Sequence, residues 1–282
     1  MTDTVTSVGA APGLGYGPPV ATRTFVRIAD GAATTNSGAI AEEVPVAFVY
    51  GARSHVVMMA SPADLEDLAF GFTLTEEIVA ARSDIGAIAI ERHSRGIELR
   101  IEIPAAAAAR LLDRGRALTG RTGCGLCGVE AIDDAVRTPR VVSSPLTLST
   151  DALWRAGAAL DAQQLLNRDT RAVHAAAWAT PDGTLHVVRE DVGRHNALDK
   201  VIGALARTNT DASTGFVIVT SRASFELVQK TATANIPILA AVSRPTGLAI
   251  RLAESANIAL VGLLRGQSAN IYAHAERLTP AQ

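Results

Sequence analysis

The carboxyl-terminal half of this 282-residue chain repeats one arrangement, in which an apolar run is followed by a polar loop and a helix-type segment. The apolar runs cover 215–219, 236–242 and 258–263, and helical periodicity follows the first two at 225–234 and 248–256. Consecutive units of this kind form a parallel sheet with right-handed crossovers. The repeat therefore predicts an α/β domain whose loops gather at the carboxyl ends of the strands, where open α/β sheets bind ligands.

The loops of this predicted sheet carry hydroxyl groups and arginines. Guanidinium groups, hydroxyls and helix N-termini together suit a phosphate or pyrophosphate group. The alternative is that each Ser or Thr only caps its helix and each Arg is a solvated surface group. Including the end of the preceding strand-type run, the candidate cofactor-binding residues are Arg189, Arg194, His195, Ser221, Arg222, Ser243, Arg244 and Thr246.

The only two cysteines, Cys124 and Cys127, lie in a glycine-rich stretch at 121–128. Glycine lets a backbone bend sharply and lets another molecule approach closely. Arg121 and a short helix predicted for 129–136 would both lower the pKa of a thiol here. An accessible thiolate of moderate pKa can attack a donor sulfur and hold it as a persulfide. One use of this pair is therefore sulfur transport, with both cysteines as catalytic candidates.

Other uses of the cysteine pair need different neighbours. A structural zinc site needs two further ligands, and no pair of the six histidines has the spacing of a zinc finger or ribbon, so we expect no metal. A disulfide oxidoreductase places C-x-x-C after a strand, whereas 118–122 has no strand pattern. The same stretch spells G-x-G-x-x-G, but a dinucleotide fingerprint also requires that strand. Two unreactive thiols would not need the glycines.

The remaining segments predict a second, smaller domain. Residues 1–21 are rich in Gly, Pro, Thr and Ala and predict a disordered tail. Strand-type runs, a hairpin and two helices indicate a small α+β domain over 22–115. The cysteine loop and linker then occupy 116–145, and the α/β cofactor-binding domain occupies 146–282.

Composition excludes several classes of protein. The net charge of −2 provides no basic field for nucleic acid. No apolar run approaches the about 18 residues that span a bilayer, and no signal peptide is evident, so we expect neither membrane nor export. Two close cysteines fit a reducing compartment, which predicts a cytoplasmic location. The only lysines, Lys200 and Lys230, lie in helix-type segments that follow two of the candidate cofactor-binding loops, which suggests that an ammonium group is needed there.

Several motifs resemble those of the FdhD sulfur carriers, which are formate dehydrogenase accessory proteins. The resemblance covers about 40–272, and its motifs occur in the family's order. They are Glu43-x-Pro45, Asp67-Leu68-Ala69-x-Gly71-Phe72, Thr122-Gly123-Cys124-Gly125-Leu126-Cys127-Gly128, Arg189-Glu190-Asp191-Val192-Gly193-Arg194-His195-Asn196-Ala197-Leu198-Asp199-Lys200, Arg222-Ala223-Ser224-Phe225-Glu226-Leu227-Val228-Gln229-Lys230 and Ile236-Pro237-Ile238.

The resemblance implies a sulfurtransferase-type carrier. Cys124 would receive sulfur from a cysteine desulfurase as a persulfide, with Cys127 assisting. The sulfur would pass to the bis-molybdopterin guanine dinucleotide form of the molybdenum cofactor before its insertion into formate dehydrogenase, and a guanine nucleotide would mimic that cofactor. The resemblance also implies a cytidine-deaminase-like larger domain and a homodimer. A further cofactor-binding segment would be Ala269, Asn270, Ile271, Tyr272, Ala273 and His274.

Two segments depart from the family pattern. Thr170-Arg171-Ala172-Val173-His174 stands where the family has T-G-G-x-H, and Thr220-Ser221-Arg222 stands where it has S-G-R. Both segments replace glycine, so they bear on the shape of the cofactor site. We interpret His174 as a histidine on a strand whose hydrogen bonds are satisfied.

Three alternative functions remain open at this point. A chaperone would hold the cofactor without sulfur chemistry, and a redox protein would use the C-x-x-C disulfide. A zinc nucleobase deaminase would need H-x-E ahead of P-C-x-x-C. Here His274-Ala275-Glu276 follows the cysteines, and Gly123 replaces the proline.

Overall fold

The computed structural model describes residues 13–116 and 137–280. Its first elements are a 3-10 turn at Leu14–Tyr16 and a two-stranded antiparallel hairpin of β1 (Val20–Ala29) and β2 (Ala32–Ala41). The prediction of a tail as far as residue 21 is therefore wrong for 14–21. Tyr16 Oη donates to Arg92 O over 2.6 Å, and a Cβ on Gly15 would overlap the backbone at Gly96. The glycine-rich composition here serves close packing, which the sequence alone does not distinguish from disorder.

The smaller domain is a four-stranded mixed sheet in the order β4-β3-β6-β5. Helix α1 packs on it through Leu65, Leu68 and Phe72, which contact Phe48 and Leu99 in one apolar core. The predicted hairpin is present as β5 and β6, and α2, which follows Pro104, is the second of the two predicted helices. The elements are β3 (Val44–Tyr50), β4 (Arg53–Ala60), α1 (Leu65–Thr75), β5 (Ile88–His93), β6 (Gly96–Ile101) and α2 (Ala105–Arg116).

The larger domain is a six-stranded mixed sheet in the order β13-β12-β11-β10-β8-β9. Strands β10, β11 and β12 are parallel, as predicted, whereas β8 and β13 are antiparallel to their neighbours. Its elements are β7 (Leu148–Ser149), α3 (Thr150–Gln163), α4 (Leu165–Thr170), β8 (His174–Ala179), β9 (Leu185–Asp191), α5 (Arg194–Arg207), β10 (Phe216–Val219), α6 (Phe225–Thr233), β11 (Ile238–Ala241), α7 (Gly247–Ala256), β12 (Ala259–Arg265), β13 (Ser268–Ala273) and β14 (Leu278–Thr279).

Helices cover both faces of this larger sheet. Helices α5, α6 and α7 pack on one face, where Leu198, Leu227 and Ala253 join the core. Helix α3 covers the other face with Leu153 and Leu160. The molecule is thus a mixed α/β protein with two cores on the large sheet and a third in the small domain. Within the described ranges, no helix combines the length and apolar composition that crossing a bilayer requires.

The two domains meet through the close contact of α1 and α5. A Cβ on Gly71 would overlap the backbone of Asp199, and one on Gly203 would overlap the backbone of Asp67. Glycine at these two positions lets the helix backbones touch. Charged pairs extend this interface: Asp67 accepts from Arg189 Nε at 2.8 Å and pairs with Arg207 at 2.5 Å.

Candidate functional site: a cationic rim at the strand ends

Four strands of the large sheet end at one edge. β9, β10, β11 and β12 share one direction, because β8 is antiparallel to both β9 and β10. The loops 191–195, 220–224 and 242–246 lie at this edge and lead into α5, α6 and α7. We call these loops and the first turns of the three helices the rim. Two of the loops touch, since Thr246 N donates to Ala223 O over 3.1 Å.

The helix N-termini at the rim differ in their capping. Thr246 caps α7 by accepting from Ala249 N at 3.2 Å, so the simple capping role is correct for this residue. Ser224 precedes α6 but its hydroxyl does not cap that helix, and Gly193 precedes α5 without a side-chain cap. The first turns of α5 and α6 therefore keep amide groups that no N-cap side chain satisfies, which is the arrangement that binds anions.

The arginines of the rim have few partners. Arg222 and Arg244 are exposed, and neither forms an ion pair with another residue of the described ranges. Arg194 Nε is buried and has no hydrogen-bond partner there. Ser221 is buried, and its hydroxyl donates to Arg222 O at 3.0 Å. Within the described ranges, Arg222 and Arg244 at the rim therefore have no carboxylate partner, whereas Arg194 and His195 lie near the carboxylate of Glu226.

His195 forms a close pair with Glu226. The His195 Nε2 lies 2.6 Å from Glu226 Oε2 and 3.3 Å from Ser224 Oγ. An Arg194 Nη2 lies 3.9 Å from the same carboxylate oxygen. Sequence reasoning missed Glu226, because an acidic residue in the first turn of a helix is expected from the helix dipole alone.

His174 begins β8 beside the rim and is half-buried. Burial, and then the charges of Arg194 and His195, lower the pKa of His174. No hydrogen bond joins its ring to another described residue, so its interpretation as a satisfied histidine is not supported by a partner within these ranges.

The two departures from the family's glycine pattern differ in backbone conformation. Arg171 ends α4 at φ 56°, whereas Ser221 has no such strain.

Arg189 lies outside the rim. Its guanidinium pairs with Asp67 of the small domain, so the residue belongs to the domain interface. Only part of the predicted segment 269–274 lies near the rim. A Cβ on Gly262 would lie 2.8 Å from Pro245 and 3.0 Å from the Tyr272 ring, which places Tyr272 against a rim loop. Asn270 lies beside Tyr272, with 3.4 Å between Nδ2 and the hydroxyl.

The other members of this segment point elsewhere. Ala269 packs in the core under α3, and Ile271 lines a cavity of about 230 Å³ with Trp154. His274 follows β13 and lies 3.0 Å from Glu254 O near the end of α7, at the edge opposite the rim. Its Nδ1 lies 2.8 Å from Glu276.

Cys124, Cys127, Arg121 and the helix predicted for 129–136 lie outside the described residues. The chain is described again from Arg137, whose Nη2 lies 2.7 Å from Glu76 Oε2. Gln229 Nε2 donates to Arg137 O over 2.8 Å. Because Gln229 lies in α6, Arg137 lies beside a helix that starts at the rim.

Both lysines are buried and have acidic partners. Lys200 Nζ lies 2.6 Å from Asp191, and both side chains are 0% exposed. Lys230 Nζ lies 2.9 Å from Asp199 and 2.9 Å from Glu76. Burial opposes the charged form of Lys230, but these two carboxylates raise its pKa. The ammonium groups expected from the sequence therefore serve the packing of α1 against the large domain.

One group of potential metal ligands occurs in the described part of the chain. It comprises Glu91, His93 and Glu98 on the β5–β6 hairpin. Arg100 pairs with both carboxylates, at 2.8 and 2.6 Å, and the four side chains are 33–50% exposed. The group belongs to the four-stranded sheet, whereas the H-x-E sequence at 274–276, which a deaminase would use, follows β13 of the six-stranded sheet.

Fold and site together define a two-domain, mixed α/β protein with a cationic rim at the carboxyl ends of its parallel strands. Residues 41–279 match the model of the FdhD/NarQ family, so the chain belongs to that family. Proteins called "Sulfur carrier protein FdhD" are similar to it. That of Xanthomonas axonopodis pv. citri is 52% identical over 93% of each chain. That of Bordetella petrii is 52% identical over 87% of this chain and 88% of the relative.

The fold has a solved counterpart. The crystal structure of a formate dehydrogenase accessory protein from Desulfotalea psychrophila aligns with a TM-score of 0.73. The alignment covers 93% of this chain and 100% of that one, at 23% identity. At this identity the likeness concerns the fold, and it agrees with the mixed α/β architecture described above.

Proposed function

We propose that this protein is a sulfur carrier for formate dehydrogenase. It accepts sulfane sulfur from a cysteine desulfurase as a persulfide on Cys124, and it delivers the sulfur to the bis-guanine-dinucleotide molybdenum cofactor before that cofactor enters formate dehydrogenase. The cofactor is a substrate here, and it binds at the rim. Delivery is stoichiometric, one sulfur atom for each loaded carrier.

The proposed chemistry is balanced by the two cysteines. The Cys124 thiolate attacks the terminal sulfur of the donor persulfide; a new S–S bond forms, the donor S–S bond breaks, and the donor thiolate leaves. The Cys127 thiolate then attacks the inner sulfur of the Cys124 persulfide. This forms the Cys124–Cys127 disulfide and releases HS⁻, so the two thiols supply both electrons. A thiol reductant opens the disulfide before the next round.

The observation that carries the cofactor part of this proposal is the rim itself. Two helix N-termini without side-chain caps stand beside Arg194, Arg222 and Arg244, which suits a pyrophosphate group. Tyr272 borders the rim loop at 242–246, and Asn270 lies beside Tyr272.

The position of Arg137 supports delivery of sulfur to this rim. Arg137 is ten positions after Cys127, and a chain of that length spans at most about 35 Å. Arg137 contacts Gln229, four residues along α6 from its rim end, a rise of about 6 Å. A thiol on this segment is therefore within reach of a ligand at the rim.

The assembly and fold subclass belong to the same proposal. We infer a homodimer, and the exposed side chains of Val26 and Ile28 on the β1–β2 hairpin, at 64% and 77%, support a protein contact there. Ile28→Asp is then expected to shift sedimentation towards the monomer.

The mixed sheet of the large domain supports its cytidine-deaminase-like assignment. In this sheet β8 is antiparallel to β10, which is parallel to β11 and β12.

Client activation tests the proposal. Formate dehydrogenase produced in cells that contain the Cys124→Ala variant is expected to be inactive, while the variant keeps the fold and thermal stability of the parent chain. Normal formate dehydrogenase activity with this variant would contradict sulfur transfer and favour a chaperone that only holds the cofactor.

A further inference from the structure

Glu226 stands at the point where the first turns of α5 and α6 approach each other. His195 and Glu226 are each the second residue of their helix, and their side chains are 23% and 19% exposed. A carboxylate accepts hydrogen bonds, so at 2.6 Å the Nε2 of His195 carries the proton that it donates to Oε2. The hydrogen bond made by one ring nitrogen sets the tautomer and the role of the other. Nδ1 is therefore the nitrogen that remains for a ligand, and it donates to a phosphate oxygen in the imidazolium form of the ring.

The same pair accounts for the open end of α6. Ser224 is at the N-cap position, where Ser ordinarily accepts from an amide two or three residues later. Its hydroxyl instead lies 3.3 Å from His195 Nε2. Thr246, in the equivalent position before α7, caps its helix. The His195–Glu226 pair thus draws the Ser224 hydroxyl away from the amides of α6.

We propose that Glu226 is a positioning residue for phosphate binding at the rim. It fixes the orientation of the His195 ring, and through His195 and Ser224 it keeps the first turn of α6 open to a phosphate group. This inference rests on the proposed function, since the ligand is the diphosphate part of the guanine dinucleotide cofactor.

The negative charge of Glu226 allows two possible roles of this residue to be distinguished by their effect on phosphate affinity. A carboxylate beside a phosphate site repels the ligand unless its positioning effect is larger. If Glu226 were only a counter-ion for Arg194 and His195, its removal would tighten phosphate binding. If it is a positioning residue, its removal weakens phosphate binding. The two roles therefore predict opposite signs.

Titration calorimetry with GDP and guanosine on the full chain separates these outcomes. Glu226→Gln is expected to weaken GDP binding about tenfold, through loss of a charge-assisted hydrogen bond, and to leave guanosine binding unchanged. In a His195→Asn background the same change is expected to have little further effect, because the two residues act through one another. Glu254→Gln, an exposed carboxylate near the other end of α7, is the matched control and is expected to change neither affinity.

Tighter or unchanged GDP binding by Glu226→Gln would overturn the inference, and so would an equal loss for GDP and guanosine. Should Glu226→Gln fold poorly, Glu226→Asp keeps the charge but shortens the reach to His195. It is expected to weaken GDP binding, and an unchanged affinity would again overturn the inference. A parent protein that binds GDP no better than guanosine would instead contradict the cofactor part of the proposed function.

Discussion

At the scale of single residues, Arg171 is a costly replacement. It ends α4 with φ 56°, a conformation that is unfavourable for residues with a Cβ, and the family's motif has glycine here. Several other left-handed positions, such as Asn257 at the end of α7, use Asn or Asp, which tolerate this conformation, whereas Glu77 and Leu263 share the unfavourable φ of Arg171. No such strain occurs at Ser221, so the two departures from the family pattern are physically different.

We expect Arg171→Gly to raise the free energy of unfolding by about 0.5–1 kcal/mol, because relief of the strained φ exceeds the entropy cost of glycine. Ala172→Gly, one residue later and without a positive φ, is expected to lower it by a similar amount. Urea unfolding of both variants measures the difference. Equal shifts in the two variants would contradict this explanation.

The ionisation of Glu76 makes the free energy of unfolding depend on pH. Burial disfavours its carboxylate, but the charges of Lys230 and Arg137 outweigh burial and lower the pKa of Glu76 from 4.5 to about 2. A lowered pKa in the folded state stabilises the fold above the unfolded value, and this contribution is lost as the pH falls towards the folded value.

The parent protein should therefore exceed Glu76→Gln in stability by a constant margin above about pH 5, and the margin should shrink between about pH 4.5 and 2. Urea midpoints of the two proteins across this range provide the test. A margin that stays the same at about pH 3 would show that the Glu76 charge is not stabilised by Lys230 and Arg137.

At the scale of elements, the contact between α1 and α5 depends on two glycines. Gly71→Ala would place a Cβ within the backbone of Asp199, and helix backbones cannot yield as a flexible side chain can. We expect the free energy of unfolding to fall by about 3 kcal/mol or more, which is at or beyond the upper end of the range for overpacked cores. Thermal unfolding of the variant measures it.

Gly157→Ala is the matched control, since Gly157 also lies within a helix, α3. There the nearest neighbour of a new Cβ is Leu264 Cδ2 at 3.4 Å, and alanine favours the helix by about 1 kcal/mol. This control is expected to be neutral or stabilising. Comparable losses in both variants would contradict the close-contact account of the domain interface.

The elements themselves were largely predictable, because they follow local patterns. The runs at 215–219 and 236–242 became β10 and β11, and the helix predicted at 248–256 became α7. Residues that make contacts across domains were not predictable. Ser61 followed by Pro62 is typical of a helix start, yet Ser61 N donates to Asp191 Oδ2 over 3.0 Å, and α1 begins at Leu65.

The candidate site was predictable to a similar extent. Loop positions placed Arg194, Ser221 and Arg244 at one rim, because parallel strands end together. Partners chosen by tertiary packing could not be foreseen: Arg189 pairs with Asp67, 122 positions away, and both lysines serve the domain interface. The role of Glu226 needed the distance to His195.

At the scale of the whole molecule, the proposed function assigns sulfur loading and cofactor binding to separate parts of the chain. The account therefore predicts that Arg222→Gln with Arg244→Gln weakens GDP binding about tenfold or more while persulfide loading stays normal. Cys124→Ala should show the reverse pattern. Calorimetry with GDP and loading assays on both variants check this, and a joint loss of both activities in either variant would contradict the separation.

The central claim is that the chain itself carries sulfur, and intact-mass spectrometry tests it most directly. The full chain is incubated with a cysteine desulfurase and cysteine, beside the Cys124→Ala variant as a control. The account predicts that the parent chain gains the mass of one sulfur atom, that reduction removes it, and that the variant gains none. An unchanged parent mass, or the same gain in the variant, would contradict the claim.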